Sequence, residues 1–139
     1  MRDRGETITR KPVINGAEPQ LFVADIRKAC EFFTRKLGFE VVFMHGEPPF
    51  YGQVKRDGAR LNLRCVEQPV IAADLRVREQ LLSASLTVAS AKEIEALFSE
   101  FDAAGVAFFQ RLERKSWGAR DFIVSDPDGN LLLFTGPEK

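Results

Sequence analysis

His45 is the only histidine of the chain, and it stands at the end of an apolar stretch just before Gly46. An imidazole titrates near neutral pH, which is the property that a general base requires. Because strand ends can line the mouth of a ligand site, His45 is a candidate base or ligand contact. The alternative is a rim histidine with no chemical role. One histidine also cannot supply the several donors of a metal site by itself.

Arg60, Asn62 and Arg64 occupy every second position of a predicted strand, so their side chains should share one face of a sheet. The apolar residues between them would then pack in a core. Two guanidinium groups beside an amide suit an anionic or oxygen-rich ligand. The alternative is that both arginines pair with neighbouring carboxylates and fill a wet groove.

Glu18, Gln20 and Phe22 alternate in the same way along an earlier strand and should also share one face. Glu18 stands at the entry to that strand, where its carboxylate is either an exposed surface group or a candidate general base. As a base it would need a positive charge to stabilise an enolate, and Arg60 or Arg64 could supply it. Gln20 and Phe22 are candidate ligand contacts.

Four aromatic residues form a further group of candidate ligand contacts: Phe50, Tyr51, Trp117 and Phe122. Tyr51 and Trp117 are the only residues of their kinds and stand at predicted strand starts, where a flat ring system could stack on them. The alternative for Trp117 is packing at the edge of a hairpin or of a dimer. Phe122 faces either the ligand or the core, because a register shift of one residue in its hairpin reverses its face.

Length, charge and cysteine content indicate which classes of protein this chain could belong to. A chain of 139 residues predicts one domain, and its 20 basic and 20 acidic residues give a net charge of +0. This balance predicts no nucleic-acid partner, which would favour a clustered basic excess. No apolar run approaches the about 20 residues of a membrane span, and the charged first residues do not form a secretory signal. Two cysteines in apolar surroundings predict reduced thiols in a cytoplasmic protein.

The same pattern of elements occurs twice along the chain. Residues 1–17 are polar and predict a flexible arm, and residues 18–136 predict one domain of two modules, 18–67 and 82–136. Each module reads as a strand, a helix and three strands. Matching positions recur in order: Val23 and Val88, Phe33 and Phe98, Asp57-Gly58 and Asp128-Gly129. The segment between the modules, residues 68–80, predicts a solvated connector that can include a helical turn.

Capping signals mark the two predicted helices. Asp25 is a suitable N-cap for a helix that runs to about Leu37, and Gly38 suits its C-terminal end. Ser90 and Glu93 form a capping box at the start of the second helix. Strands are expected at 20–24, 39–45, 50–55, 59–66, 83–89 and 106–112, followed by a terminal hairpin.

The terminal hairpin, from Trp117 to Phe134, contains a tight turn in which Pro127 presets φ and Gly129 accepts a positive φ. It resembles the terminal hairpin of the vicinal oxygen chelate superfamily, which includes glyoxalase I, extradiol dioxygenases and bleomycin-resistance proteins. The resemblance covers about residues 18–136. Its motifs are Val23-Ala24-Asp25, Phe32-Phe33, Leu37-Gly38-Phe39 and Asp126-Pro127-Asp128-Gly129-Asn130. Bleomycin-resistance proteins have a similar Trp-Gly pair before the turn.

The resemblance implies an α+β fold of two tandem βαβββ modules, whose curved mixed sheets form a cup with helices on the outer faces. The resemblance also implies which residues occupy the four positions where metal-dependent members have their metal ligands: Glu18, Asn62, Ser83 and Leu133. Those members usually have a Glu at the place of Leu133. One carboxylate, an amide, a hydroxyl and an alkyl chain do not make a divalent metal site, so we expect no metal and no cofactor.

We therefore predict a metal-independent protein of the glyoxalase and bleomycin-resistance type, which binds or sequesters a small polar or aromatic molecule. Antibiotic resistance is one such role, and a homodimer is the expected assembly. Bleomycin itself is cationic, and arginines at the predicted cup positions disfavour it. One alternative is a lyase or isomerase of the same superfamily, with Glu18 or His45 as base. Another is a structural or regulatory interaction module.

Overall fold

Two strand–helix–three-strand modules follow one another in the computed structural model, which describes residues 11–69 and 73–139. Within these residues the elements are β1 Gln20–Val23, α1 Ile26–Leu37, β2 Glu40–His45, β3 Tyr51–Arg56, β4 Ala59–Cys65, α2 Ala73–Glu79, β5 Leu82–Thr87, α3 Ala91–Ala103, β6 Phe108–Arg114, β7 Ala119–Ser125 and β8 Leu131–Pro137. Most of the predicted arm, residues 1–10, lies outside the described residues. Residues 11–19 contain no strand or helix.

Each module forms its own four-stranded mixed sheet. The strand order is β1-β4-β3-β2 in the first and β5-β8-β7-β6 in the second. In both, the first strand runs parallel to the last strand of its module, and the other pairs are antiparallel. The predicted α+β fold of tandem βαβββ modules is therefore confirmed. Each sheet is covered by its helix on one face. The opposite face of the first sheet is open, with the side chains of Gln20, Arg60 and Arg64 exposed.

The predicted capping residues begin and end the helices. The Asp25 side chain accepts from the Lys28 N–H, and Gly38 ends α1 in the left-handed conformation at φ 73°. Ser90 caps α3 by accepting from the Glu93 N–H. These local hydrogen bonds satisfy backbone donors that have no partner within a helix.

The core lies on the helix side of both sheets, and Phe122 is at the centre of its aromatic part. Phe122 is 0% exposed, and its ring centroid lies between 5.2 and 5.8 Å from four other rings. Those rings belong to Phe98, Phe101, Phe108 and Phe134. Phe122 therefore faces the core and cannot contact a ligand here, which corrects its assignment as a candidate ligand contact.

The turn between β7 and β8 docks against the first module. The Asn130 side-chain amide donates to the Phe22 carbonyl at 3.0 Å, and the Asp128 carboxylate accepts from the Ala24 N–H at 2.8 Å. Phe22 lies near the end of β1, and Ala24 directly follows that strand. The turn therefore joins the two modules as well as its own two strands.

The connector, strand β5 and strand β6 differ from the predicted pattern, and β5 ends at Thr87, two residues earlier than predicted. The connector contains the short helix α2, in which Arg76 is buried although a solvated segment was expected. Strand β6 begins at Phe108, two residues later than predicted. The Val106 N–H bonds to the Phe101 carbonyl at 3.1 Å, which extends the turn that ends α3 and delays the strand.

Candidate functional site

The open face of the first sheet carries polar side chains in register across three strands. Asn62 on β4 lies opposite Gln20 on β1 and Gln53 on β3. Paired positions of neighbouring strands point to the same face, so these three amides form one row. The residues next to Asn62 on β4, Leu61 and Leu63, are buried on the helix side, as predicted from the alternation.

Gln53 is the centre of a hydrogen-bond network on this face. Its Nε2 donates to Asn62 Oδ1 at 2.8 Å and to Glu18 Oε1 at 3.1 Å, and its Oε1 accepts from Arg60 Nη1 at 2.9 Å. Asn62 Nδ2 also donates to Glu18 Oε1, at 3.4 Å. We call Glu18, Gln53, Arg60 and Asn62 the Gln53 network. Its two amides are 8% and 7% exposed, so their orientations are fixed by partners within the chain.

A second row, next to the Gln53 network, combines rings and positive charge. Phe22 on β1 lies opposite Arg64, Arg64 lies opposite Tyr51, and Tyr51 lies opposite His45 on β2. We call these four residues the aromatic row. The Tyr51 hydroxyl accepts from Gln20 Nε2 at 3.0 Å, which connects the row to the amides.

Phe50 lies at the end of the aromatic row, where its ring meets His45 edge-on at a centroid distance of 5.4 Å. Its side chain is 56% exposed. The structure thus gathers nine of the predicted positions on the open face of the first sheet or at its margin: Glu18, Gln20, Phe22, His45, Phe50, Tyr51, Arg60, Asn62 and Arg64.

Trp117 is not part of this group. It lies in the turn between β6 and β7 of the second sheet, and its side chain is 73% exposed. Its ring lies 5.9 Å from Lys115 Nζ, and the Glu113 carboxylate 2.6 Å from that nitrogen raises the pKa of Lys115. Lys115 Nζ is also 3.6 Å from the buried carboxylate of Asp121.

Gln53 was missed from the sequence, although a signal was present. The Arg56-Asp57-Gly58 turn was predicted, and a hairpin around it places residue 53 opposite residue 62. Gln53 could therefore have been assigned to the face of Asn62. The contact of Asp121 with Lys115 had no comparable signal, because β6 pairs irregularly with β7.

The four places carried over from metal-dependent proteins do not form a metal-binding set. Glu18 and Asn62 meet on the first sheet, but both are engaged in the Gln53 network. The Ser83 hydroxyl donates to Asn130 Oδ1 at 3.2 Å, and Leu133 offers an alkyl chain. Among residues 11–69 and 73–139, no three His, Cys, Asp or Glu side chains are placed to hold one ion. These four residues therefore do not fit a divalent metal.

Comparison of the chain with models of protein families agrees with the observed fold and its repeated module. The family model of the Glyoxalase/Bleomycin resistance protein/Dioxygenase superfamily matches residues 14–134. The chain therefore belongs to this superfamily, which confirms the resemblance carried by its motifs. No curated protein sequence matches the chain.

Solved structures of similar proteins cover most of the chain. A bleomycin-binding protein from Streptomyces verticillus, complexed with copper(II)-bleomycin, is 25% identical with a TM-score of 0.70, over 92% of this chain and 100% of that one. A glyoxalase/bleomycin resistance protein/dioxygenase from Alicyclobacillus acidocaldarius is 19% identical with a TM-score of 0.73, over 88% and 91%. In the described part of the chain, no helix has the length and apolar character that crossing a bilayer requires.

Proposed function

We propose that this protein binds a small polar or aromatic molecule on the open face of its first sheet, without a resident metal and without turnover. The observation that carries the proposal is the Gln53 network beside the aromatic row. The buried amides of Gln53 and Asn62 hold the exposed side chains of Glu18 and Arg60 in place, and a preorganised polar surface lowers the entropic cost of binding. Arg60 and Arg64 on the same face favour an anionic or oxygen-rich ligand, and Tyr51 offers a ring for stacking.

Family membership supports a binding role, and the 25% identical protein of Streptomyces verticillus is a bleomycin-binding protein. By analogy, sequestration of a toxic compound, and hence antibiotic resistance, is the role we propose. The arginines of the first sheet favour a ligand of opposite charge to the cationic bleomycin. Cys30 and Cys65 are both free, which suits the reducing cytoplasm that we propose as its location.

A homodimer is part of the proposal, and the edge strand β2 supports it. Four consecutive apolar residues of this strand, Val41 to Met44, are 38–43% exposed. An apolar edge strand with unpaired backbone groups is a surface that a second copy can cover. We expect purified protein to have twice the 15.6 kDa mass of the chain, and Val42→Lys to make it monomeric. A wild-type monomer at micromolar concentration would overturn the dimer.

A ligand screen by thermal shift tests the binding proposal. A ligand at 100 times its dissociation constant should add about 2.7 kcal/mol to the free energy of unfolding. We expect Arg64→Ser to remove the shift, whereas the matched surface change Arg78→Ser should leave it intact. A ligand recovered unchanged by mass spectrometry supports sequestration. Stoichiometric Zn, Ni, Mn or Fe in protein purified without added metal would contradict metal independence.

The second candidate is a lyase or isomerase, and the position of Glu18 favours it. Its Oε1 is held by two amide donors, while Gln53 links it to the guanidinium of Arg60. A carboxylate base beside a positive charge is suited to proton abstraction next to a carbonyl group. Turnover of a small carbonyl compound that is lost in Glu18→Gln would establish this candidate over sequestration. His45, which is exposed beside Phe50, is the other base to test.

A further inference from the structure

The two sheets match position by position, so a contact made by one module has a defined counterpart in the other. In the first sheet Phe22 lies opposite Arg64, and in the second sheet Thr87 lies opposite Thr135. The offset between the modules is therefore 65 residues from Phe22 to Thr87 and 71 residues from Arg64 to Thr135. A repeat of this kind allows each half of the molecule to be compared with the other.

The hydrogen bond that docks the second module on the first has no equivalent in the reverse direction. Asn130 Nδ2 donates to the Phe22 carbonyl at 3.0 Å. With the same offsets, Ala59 stands at the position of Asn130. The Thr87 carbonyl stands at the position of the Phe22 carbonyl. A methyl group cannot donate a hydrogen bond, so Ala59 offers the Thr87 carbonyl nothing that replaces the Asn130 amide.

The aspartates of the two turns differ in the same way. Asp128 accepts from the Ala24 N–H at 2.8 Å, whereas the side chain of its counterpart Asp57 is 93% exposed. The turn between β3 and β4 therefore places neither an amide nor a buried carboxylate against the second module.

The Thr87 carbonyl lies on the free edge of the second sheet. Strand β5 is an edge strand beside β8, and the Val88 N–H bonds to the Thr135 carbonyl at 2.9 Å. In a parallel ladder, alternate residues of an edge strand bond to the neighbouring strand, and the residues between them direct N–H and C=O away from it. Thr87, which is exposed, therefore presents its carbonyl to the space beside β5.

That space is a cavity of about 570 Å³ between the β3–β4 turn, β5 and α3, and both Ala59 and Thr87 line it. We call it the Ala59 cavity. Apolar side chains from both modules form much of its wall: Phe39, Leu61, Leu86, Leu97, Phe101 and Phe134. A ring or a branched aliphatic group in the cavity would contact apolar atoms on several sides.

We propose that the Ala59 cavity binds a small neutral molecule with a primary carboxamide on an aromatic or branched aliphatic body. The carboxamide of the ligand takes the position that the Asn130 side chain has in the second module. Its NH2 group donates to the Thr87 carbonyl, as Asn130 donates to the Phe22 carbonyl. The body of the ligand packs on the apolar wall.

The charged side chains at the cavity favour a neutral ligand over an anion. Five of them line it, and Arg56 and Glu100 neutralise each other in an ion pair at 2.7 Å. The carboxylates of Asp57 and Glu93 then stand against the single guanidinium of Arg60. A carboxylate ligand would be repelled by both of these acids and would have no N–H to give to the Thr87 carbonyl.

This site is separate from the one under the proposed function. The Ala59 cavity shares Arg60 with the Gln53 network, but it uses neither Gln53 nor the aromatic row. A ligand could therefore occupy either site without the other. One titration distinguishes them, because different backbone amides line the two sites.

Benzamide is the probe, with the full chain observed by two-dimensional NMR. We expect saturable shift changes at the amides of Gly58 and Thr87, with none at Tyr51 and Arg64. N,N-dimethylbenzamide and benzoate keep the ring and lose the N–H donor, so each should bind at least about tenfold more weakly. Shift changes confined to Tyr51 and Arg64 would overturn the Ala59 cavity while supporting the proposed function. Absence of saturable binding, or equal affinity for benzamide and N,N-dimethylbenzamide, would also overturn it.

Ala59→Asn tests the comparison between the modules. The new side chain supplies the amide that the second module has, so it should occupy the Thr87 carbonyl and weaken benzamide binding at least about tenfold. The matched control is Ala107→Asn, at an exposed position outside the cavity, which should bind benzamide like the wild type.

A second variant tests the cavity without changing its polar groups. Ala96 is exposed on α3 and lines the cavity, so Ala96→Leu should fill part of the space and weaken benzamide binding. Ala103→Leu, exposed on the same helix outside the cavity, should leave binding unchanged. If Ala59→Asn does not fold, the comparison between Ala96→Leu and Ala103→Leu decides. Wild-type affinity for benzamide in every folded variant of Ala59 and Ala96 would overturn the proposal.

Discussion

Arg56 of the first module and Glu100 of the second form a bidentate ion pair. Nη1 donates to Oε2 at 2.7 Å, and Nη2 donates to Oε1 at 3.0 Å. Nη1 also donates to the carbonyl of Leu37 at the end of α1, at 2.7 Å. The hydrogen bonds from the guanidinium to Glu100 raise the pKa of Arg56 above its ordinary value. One side chain thus connects a hairpin, the end of α1 and helix α3.

Glu100→Gln should lower the free energy of unfolding by about 0.5–1 kcal/mol, as measured by urea denaturation. The pair is partly exposed, at 29% for Arg56 and 46% for Glu100, so solvent screens it and the effect stays modest. The difference from the wild type should shrink in 1 M salt. The control is Glu31→Gln, which removes an exposed pair with Arg35 within α1 and should change stability less. An equal loss of unfolding free energy in Glu100→Gln and Glu31→Gln would contradict a special role for the Arg56–Glu100 pair at the contact between the modules.

Asp126 makes stability depend on pH. Burial raises the pKa of its carboxyl from 3.8 to about 6, against the opposing effect of hydrogen bonds from Asn130. The folded state therefore holds this proton more tightly than the unfolded state does. Between pH 3.8 and about 6 the folded protein binds more protons, so its stability falls as the pH rises through this window. The loss should reach up to about 3 kcal/mol and stop above the folded pKa.

Comparison of wild type and Asp126→Asn isolates this contribution, with urea denaturation at half-unit steps from pH 4 to 7.5. The variant should be less stable at low pH. Its single amide oxygen would accept from the Asp128 and Asn130 N–H groups, so its NH2 group would stand where Asp126 Oδ2 accepts from Asn130 Nδ2 at 2.9 Å. Its stability should not fall further between pH 4 and 6. Asp57→Asn, at the exposed turn of the first module, should keep the wild-type slope. A variant of Asp126 with that same slope would show that another group titrates.

Local signals predicted the helices well, and tertiary contacts decided what the sequence left open. Asp25 and Ser90 were assigned as N-caps because a cap bonds within its own first turn. The face of Phe122 depends on register across the β7–β8 turn, which the structure sets by pairing Phe122 with Phe134. A local pattern cannot determine that register. Likewise, Arg76 is buried by docking against a distant turn rather than by helix periodicity.

The Gln53 network and the aromatic row also contain both residues that local signals placed and residues that only tertiary contacts could place. Alternation along one strand was enough to group Arg60, Asn62 and Arg64, because a strand has a period of two. Assigning Gln53 to their face required pairing between strands as well. Burial of Asp121 beside Lys115 required the irregular pairing of β6 with β7. Site residues whose positions depend on one strand alone were therefore predicted, whereas those whose positions depend on pairing between strands were not.

Replacement by alanine should destabilise the fold at Gly136 but not at Gly58. A Cβ at Gly136 would lie 2.9 Å from Val88 Cγ2 and 3.1 Å from Ile94 Cβ, inside the contact between β8 and α3. Gly136→Ala should therefore lower the free energy of unfolding by about 1–3 kcal/mol through overpacking. A Cβ at Gly58 would meet nothing within 4 Å, so Gly58→Ala should be neutral or slightly stabilising. Thermal denaturation checks both, and equal midpoints would contradict the tight contact.

Phe122 and Phe50 were both candidate ligand contacts, and their burial now separates their roles. Phe122→Ala should lower the free energy of unfolding by about 3–5 kcal/mol, because it opens a cavity among four other rings. Phe50→Ala should change stability by less than about 1 kcal/mol, because the side chain is 56% exposed.

Ligand affinity should follow the opposite order. A compound found by the thermal-shift screen should bind folded Phe122→Ala with wild-type affinity, since the ring lies on the helix side of the second sheet. The same compound should bind Phe50→Ala more weakly, because this ring meets His45 at the end of the aromatic row. Isothermal titration at 10 °C keeps the destabilised variant folded. Weaker binding in Phe122→Ala with an unchanged Phe50→Ala would place the ligand on the second sheet and refute the assignment of the first.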